Sequence, residues 1–187
     1  MQLNIYKISH PIIQLILNDI KNHNKKNEKN YYYKYIGFLI IYEMLRKYIQ
    51  TKHIYIKLID NVKSVTVHNC RKRYLILTDI SKTYDMIADV KVILPNIEVI
   101  NVNYKNLEEI EYSIKNLQIT EQETNIFIID KITISENIIK LITYLNHKHY
   151  ISISNITIGC ITCYHETLNQ ISNHYPELNI YTTDIIK

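Results

Sequence analysis

Apolar positions recur along this chain in two rhythms, one helical and one extended, and the order in which they alternate predicts an α/β domain. Over residues 10–21, Ile12, Ile13, Ile16, Leu17 and Ile20 return at helical spacing behind Pro11, which predicts a first helix. The polar, basic run 21–30 reads as a solvated loop. A longer helix is expected over 31–49, with Ile36, Leu39, Ile40 and Met44 as its buried stripe. Gly37 interrupts that stripe at a cost of about 1 kcal/mol against alanine, so its expected role is close packing rather than binding. Two alternating segments, 54–58 and 64–68, flank Asp60-Asn61 and predict a β-hairpin. Behind Arg71-Lys72-Arg73 the pattern gives a buried strand at 74–77, a helix at 83–93 ending before Pro95, and a strand at 97–100. The polar segment 104–123 is expected to project as a loop or hairpin. Further on come a strand over 125–130, a helix to about residue 146, a buried strand at 151–161, a helix at 164–174 and a closing strand at 178–182. Strands alternating with helices imply a mainly parallel sheet flanked by helices, in one domain of 187 residues.

Composition narrows the class. Hydrophobic residues at 47% and charged residues at 21% suit a water-soluble domain. No apolar run reaches membrane-spanning length and no signal-peptide core opens the chain, so neither a membrane nor a secretory role is expected. A net charge of +4, with lysines scattered, does not suggest a nucleic-acid partner. Three cysteines make no disulfide framework and point to a reducing compartment. The surplus of Ile, Asn and Lys, with two glycines and seventeen tyrosines, is the signature of an AT-rich genome, organellar or otherwise reduced. Glycine scarcity has a physical consequence: positive φ and close backbone approach to a ligand are largely closed to this chain.

The stretch from Asn125 to Asn137 carries the candidate chemistry. An apolar run that stops at Asp130 before a helix is how a central parallel strand delivers a functional group to its carboxyl edge. A nucleotide-binding turn at that place would be glycine-rich, so that backbone amides could close on a phosphate. Here Thr133-Ile134-Ser135-Glu136 reads instead as a capping box, in which the helix satisfies its own first amides. A carboxylate at about 5 Å from a phosphate would oppose it by roughly 3 kcal/mol at an effective dielectric near 20. Cys160, Cys163 and His165 suggest a redox or zinc element, but the odd offset places the cysteines on opposite faces of a strand, and packing is expected. His147-Lys148-His149 suits a helix C-terminus. Tyr31, Tyr32, Tyr33 and Tyr35 are expected to pack a helix rather than stack on bases, and Glu108 and Glu109 to solvate the projecting segment.

In this order the elements resemble the uracil phosphoribosyltransferase family from end to end. His10-Pro11-Ile12-Ile13 is similar to its H-P-L-[VI] opening, and Gly37 to Glu43 to its G-x-L-L-x-Y-E helix. Residues 86–95 resemble the helix ending in V-P, and Tyr104-Lys105-Asn106 its Y-R-N. Glu166 and the run Pro176-Glu177-Leu178-Asn179-Ile180-Tyr181-Thr182 resemble P-E-G and P-D-x-x-[LI]-Y-T. The resemblance implies the type I phosphoribosyltransferase fold, residues 1–70 giving the N-terminal helices and a hood hairpin. It implies transfer of phosphoribosyl from phosphoribosyl pyrophosphate, with Mg²⁺, to uracil.

Against the family's D-P-x-x-A-T-G-G-S loop the chain keeps Asp130 and places Ser135 at the threonine, while Glu136 and Asn137 replace both glycines. Against P-I-L-R-A-G-L it reads Thr78 to Tyr84, with Ser81 at the arginine, Lys82 beside it and Thr83 at the glycine. The family's glycine-rich uracil segment has no counterpart between Thr182 and Lys187. The expectation is a diverged homologue that keeps the scaffold and has lost the reaction, its vestigial site at Asp130, Ser135, Lys105 and Lys82. No cofactor is then expected, and Mg²⁺ with phosphoribosyl pyrophosphate and uracil only if activity survives. The alternatives are a non-catalytic interaction scaffold, as a homodimer like the family, or a weak transferase completed by a partner subunit. A plastid stroma would suit the composition and the resemblance.

Overall fold

Aliphatic and β-branched runs build a six-stranded sheet whose two faces are each covered by helices. The computed structural model describes residues 3–22, 26–68, 72–104, 106–115, 117, 124–133 and 135–187, the side chains at 26–28, 93 and 135 excepted. The sheet strands are β1 (Asn4–Lys7), β4 (Arg73–Thr78), β5 (Glu98–Asn101), β6 (Thr124–Thr133), β7 (Ile156–Tyr164) and β8 (Asn179–Ile186). They lie in the order β1-β8-β7-β6-β4-β5, and every pairing is parallel. The hairpin β2 (Thr51–Lys57) and β3 (Val62–His68) forms a separate antiparallel ribbon.

Period-two alternation sorts the strand side chains between two cores. Leu75, Leu77, Ile126 and Ile128 face helices α5 (Leu107–Ile114), α6 (Ser135–His149) and α7 (His165–His174). Tyr74, Ile76, Phe127 and Ile129 face α1 (Pro11–Asn22), α2 (Lys26–Arg46), α3 (Ile80–Ile87) and α4 (Val90–Ile93). The two glycines serve this packing. A Cβ on Gly37 would lie 2.5 Å from Met86 Cα, so α2 rests directly on the α3 backbone, and one on Gly159 would collide with the Met44 side chain. With no glycine at positive φ, the turn after α6 is made by Tyr150 at φ 53°, a conformation that costs most side chains energy.

Several expectations need correction. Helix α1 runs to Asn22 and α2 begins at Lys26, because the Lys/Asn/Glu run extends it, and residues 23–25 of the expected loop lie outside the described residues. The single helix at 83–93 starts at Ile80 and breaks at Ala88-Asp89 into α3 and α4. The projecting segment after Tyr104 is in part helix α5, because Ile110 and Ile114 are fully buried against the sheet and Asn106 caps it by accepting from the Glu109 amide at 2.9 Å. The rest of that segment falls largely outside the described residues. Edge strand β1 carried no sequence signal of its own, and β7 begins five residues later than expected.

Candidate functional site

Two strands, β4 and β6, each reach an aspartate near their carboxyl ends before handing the chain to a helix. At the β4–α3 junction Asp79 caps the helix. Its Oδ1 accepts from the Ser81 amide at 3.2 Å and from the Ser81 hydroxyl at 2.5 Å, and its Oδ2 meets Lys82 Nζ at 3.0 Å. Burial pushes the Asp79 carboxyl up, but Ser81 and Lys82 outweigh it and hold the group below the usual carboxylate range. The Ile80 amide is taken by Asn101 Oδ1 at 2.9 Å. Both leading amides of α3 therefore have side-chain acceptors from this chain. Thr83 is buried, its hydroxyl donating to the Asp79 carbonyl at 2.9 Å and lying 2.6 Å from the Thr78 hydroxyl.

The β6–α6 junction is built differently. The strand does not stop at Asp130. It continues through Lys131, Ile132 and Thr133, with Ile132 opposite Thr162 and Thr133 opposite Cys163 on β7. Asp130 is buried, its Oδ2 accepting from the Tyr104 hydroxyl at 2.6 Å and its Oδ1 from the Lys131 amide at 2.7 Å. Burial raises the Asp130 carboxyl, although Tyr104, the backbone and Lys82 pull the other way. Burial and the neighbouring Asp130 likewise push the Tyr104 phenol up, so it stays a proton donor. Lys131 folds down onto the α2–α3 side, 3.6 Å from Asp85 and 4.1 Å from the Tyr33 ring centroid.

The capping box does not form. Thr133 is the last strand residue, its hydroxyl buried without a hydrogen-bond partner among the described residues, while Glu136 is exposed on α6. A regular break in the ladder accounts for this. Pairing skips Lys131, Ile161 and Thr183, one position in each of three adjacent strands, and the Ile161 carbonyl accepts from the Thr182 and Thr183 hydroxyls instead. Side-chain alternation shifts by one at the skip. Cys160 and Cys163 consequently share one core, not opposite faces as expected. Both are free and buried, and no group of three or more metal-ligating side chains exists among the described residues. His165 faces Asn169 at 3.2 Å.

The structure thus brings Asp130 and Lys82 into one neighbourhood with Asp79 and Tyr104. Ser135 begins α6, and its side chain, like all of Lys105, lies outside the described residues. Asn101 and the capping role of Asp79 were missed in the sequence. An Asp two places before a serine at a helix start was the available signal for the cap, whereas Asn101 comes from the next strand and left none. Beside this edge, a cleft of about 650 Å³ is lined by Asn101, Asn103, Glu108, Glu109, Tyr112 and Ser113. Its carboxylates have the wrong sign for a phosphate.

A sequence model of the family described as Uracil phosphoribosyltransferase matches residues 7–186. Among curated proteins, none matches the chain. Of solved structures, the AQ2163 protein from Aquifex aeolicus superposes with a TM-score of 0.69 at 18% identity, over 97% of this chain and 86% of that one. Purine phosphoribosyltransferase from Pyrococcus horikoshii matches at 0.43 and 14% identity, over 83% of this chain and 87% of that one. Hypoxanthine phosphoribosyltransferase from Trypanosoma cruzi matches at 0.46 and 9% identity, over 84% and 74%. The first likeness is one of fold.

Proposed function

The chain belongs to the uracil phosphoribosyltransferase family, and we propose that it keeps the family's scaffold without the family's reaction, the formation of UMP from uracil and phosphoribosyl pyrophosphate. The observation that carries this reading is the course of β6. Along the first part of the loop that the resemblance calls for after Asp130, residues 131–133 are strand, with Ile132 and Thr133 paired to β7. Opening them would break sheet pairing and expose Thr133, which is fully buried.

The donors for Mg²⁺ do not fit either. Asp79 is occupied by Ser81 and Lys82, and Asp130 by Tyr104 and a backbone amide. Hard cations need carboxylate oxygens free to turn toward them. We assign Asp130, Ser135, Lys82 and Lys105 as the vestige of the site. AT-rich composition supports a plastid gene as the origin, and no helix among the described residues is long and apolar enough to cross a membrane.

The test is calorimetric titration with Mg²⁺ and phosphoribosyl pyrophosphate, together with an assay for UMP from uracil. Binding no tighter than about millimolar and no product are expected. Micromolar binding would sink the reading of β6, and UMP formation would sink the inactive assignment and favour a weak transferase.

A specific observation favours a scaffold role as a homodimer. Every residue of β2 is exposed, and Ile54, Tyr55, Ile56, Leu58, Ile59 and Val62 present apolar surface on a ribbon that stands apart from the main sheet. A two-stranded ribbon is barely stable alone in water, and its free edges invite pairing. Twofold symmetry allows one β2 edge to pair antiparallel with its copy, so we assign a second copy of the chain to this arm. Sedimentation should show a dimer that Ile54→Lys with Ile56→Lys reduces to monomer. A monomeric parent protein at about 50 μM, far above the dissociation constant of a specific interface, contradicts the assignment.

A further inference from the structure

Away from the sheet edge just described, a cleft of about 660 Å³ opens between β1 and the end of α2. That volume lies within the range of small-molecule sites. Its lining is Ile5, Tyr6, Lys7 and Ile8 from β1 and the residue after it, Glu43, Arg46 and Lys47 from the end of α2, and Tyr181 from β8. Tyr181 is buried and Tyr6 lies on it, ring centroids 4.6 Å apart and planes 19° from parallel. Tyr6 is itself 42% exposed, so an aromatic platform is fixed from beneath and open to the cleft. Three cations, Lys7, Arg46 and Lys47, line it with one carboxylate, Glu43, and the Lys47 ammonium lies 5.9 Å from the Tyr48 ring centroid. The single ion pair among them is loose, Arg46 standing 3.4 Å from Glu43 with most of its side chain exposed.

We propose that this cleft binds a free mononucleotide, its base stacked on Tyr6 and its phosphate held by Arg46 with Lys7 and Lys47. A flat ring rewards a ligand with a π-face, whatever its hydrogen-bonding edge. A guanidinium beside two ammonium groups rewards a phosphate, which can take two parallel hydrogen bonds from arginine. A ligand carrying both groups on one ribose matches the cleft better than either group alone. Cations at the end of α2 also suit the helix dipole, but that accounts for their charge and not for the stacked tyrosines beside them. The assignment is independent of whether β6 can form a phosphate loop.

AMP is the appropriate probe, because it offers a large ring and is not the product of the family's reaction. Titrated by calorimetry into the full chain at low salt, AMP should bind with a sub-millimolar dissociation constant. Adenosine and inorganic phosphate, tested separately, should each bind at least about tenfold more weakly. Arg46→Gln removes the guanidinium of an exposed residue and should weaken AMP at least about tenfold with no more than a small change in the melting curve. Tyr6→Leu keeps Tyr181 covered and should weaken it by about fivefold or more. No AMP binding at about 1 mM overturns the proposal, as does binding indifferent to both substitutions. Tighter binding of a single-stranded RNA hexamer than of AMP overturns the assignment to a free nucleotide.

Discussion

Two junctions in this protein share a sequence pattern, an apolar strand, an aspartate and then a helix, and they resolve it in opposite ways. At β4–α3 the strand stops, and Asp79 turns forward to hold Ser81 and Lys82. At β6–α6 the strand runs on, and Asp130 turns inward to a tyrosine 26 residues earlier in the chain. The first aspartate is held below its ordinary range and the second is raised above it. The difference lies in the neighbours. Strand β6 sits between β4 and β7 and has a long partner, with ladder positions available out to Thr133. Strand β4 has β5 on one side, and that pairing ends at Thr78↔Asn101, so the chain is released where α3 begins.

The largest test of this comparison is alanine at each aspartate. Asp130→Ala leaves the buried Tyr104 hydroxyl without its acceptor and opens a small void, together about 3 kcal/mol. Asp79→Ala removes a helix cap, about 1 kcal/mol. Urea denaturation of both variants measures the gap. Equal losses would mean that Asp130 is no more embedded than an ordinary cap, and that β6 is free to open in the way a phosphate loop must.

Much of the fold was legible because it rests on local periodicity. The buried strands, the hairpin around Asp60-Asn61 and most of the helices appear near where apolar spacing puts them. Gly37 was legible as a packing glycine, and Met86 lies where its Cβ would go. The tyrosines of α2 pack only in part: Tyr33 lies under Lys131, while Tyr31 and Tyr35 meet edge-on with both side chains exposed. What was not legible depends on contacts distant in sequence. Nothing local distinguishes a Thr133 that caps a helix from one that closes a strand, since that turns on whether β7 offers a partner. The same holds for Cys160 and Cys163, whose common face follows from a skip shared by β6, β7 and β8. Helix α5 was missed because its polar residues dominate the segment, while two isoleucines one turn apart supply its buried face.

The subtler test uses pH, because the two aspartates should tilt stability in opposite directions. Asp79 has a folded pKa below its unfolded value, so its contribution is present above the unfolded pKa and is lost as pH falls through the folded one. Asp130 has a folded pKa above its unfolded value, so its contribution is complete below the unfolded pKa and is lost as pH rises through the folded one. Asparagine titrates at neither place. Asp79→Asn, which remains a good cap, should therefore lose stability relative to the parent as pH rises from about 3 to 7. Asp130→Asn should gain relative stability over the same interval. Asp130→Asn also carries a fixed offset, since Tyr104 and the Lys131 amide donate to different carboxylate oxygens and asparagine keeps only one of them, so the slope is the quantity to read. Each unit of difference between folded and unfolded pKa corresponds to about 1.4 kcal/mol, well within the reach of urea titrations at several pH values. If both variants tilt the same way, the inward-turned carboxylate at Asp130 is not the acid-stabilised group described here, and the contrast between the two junctions fails.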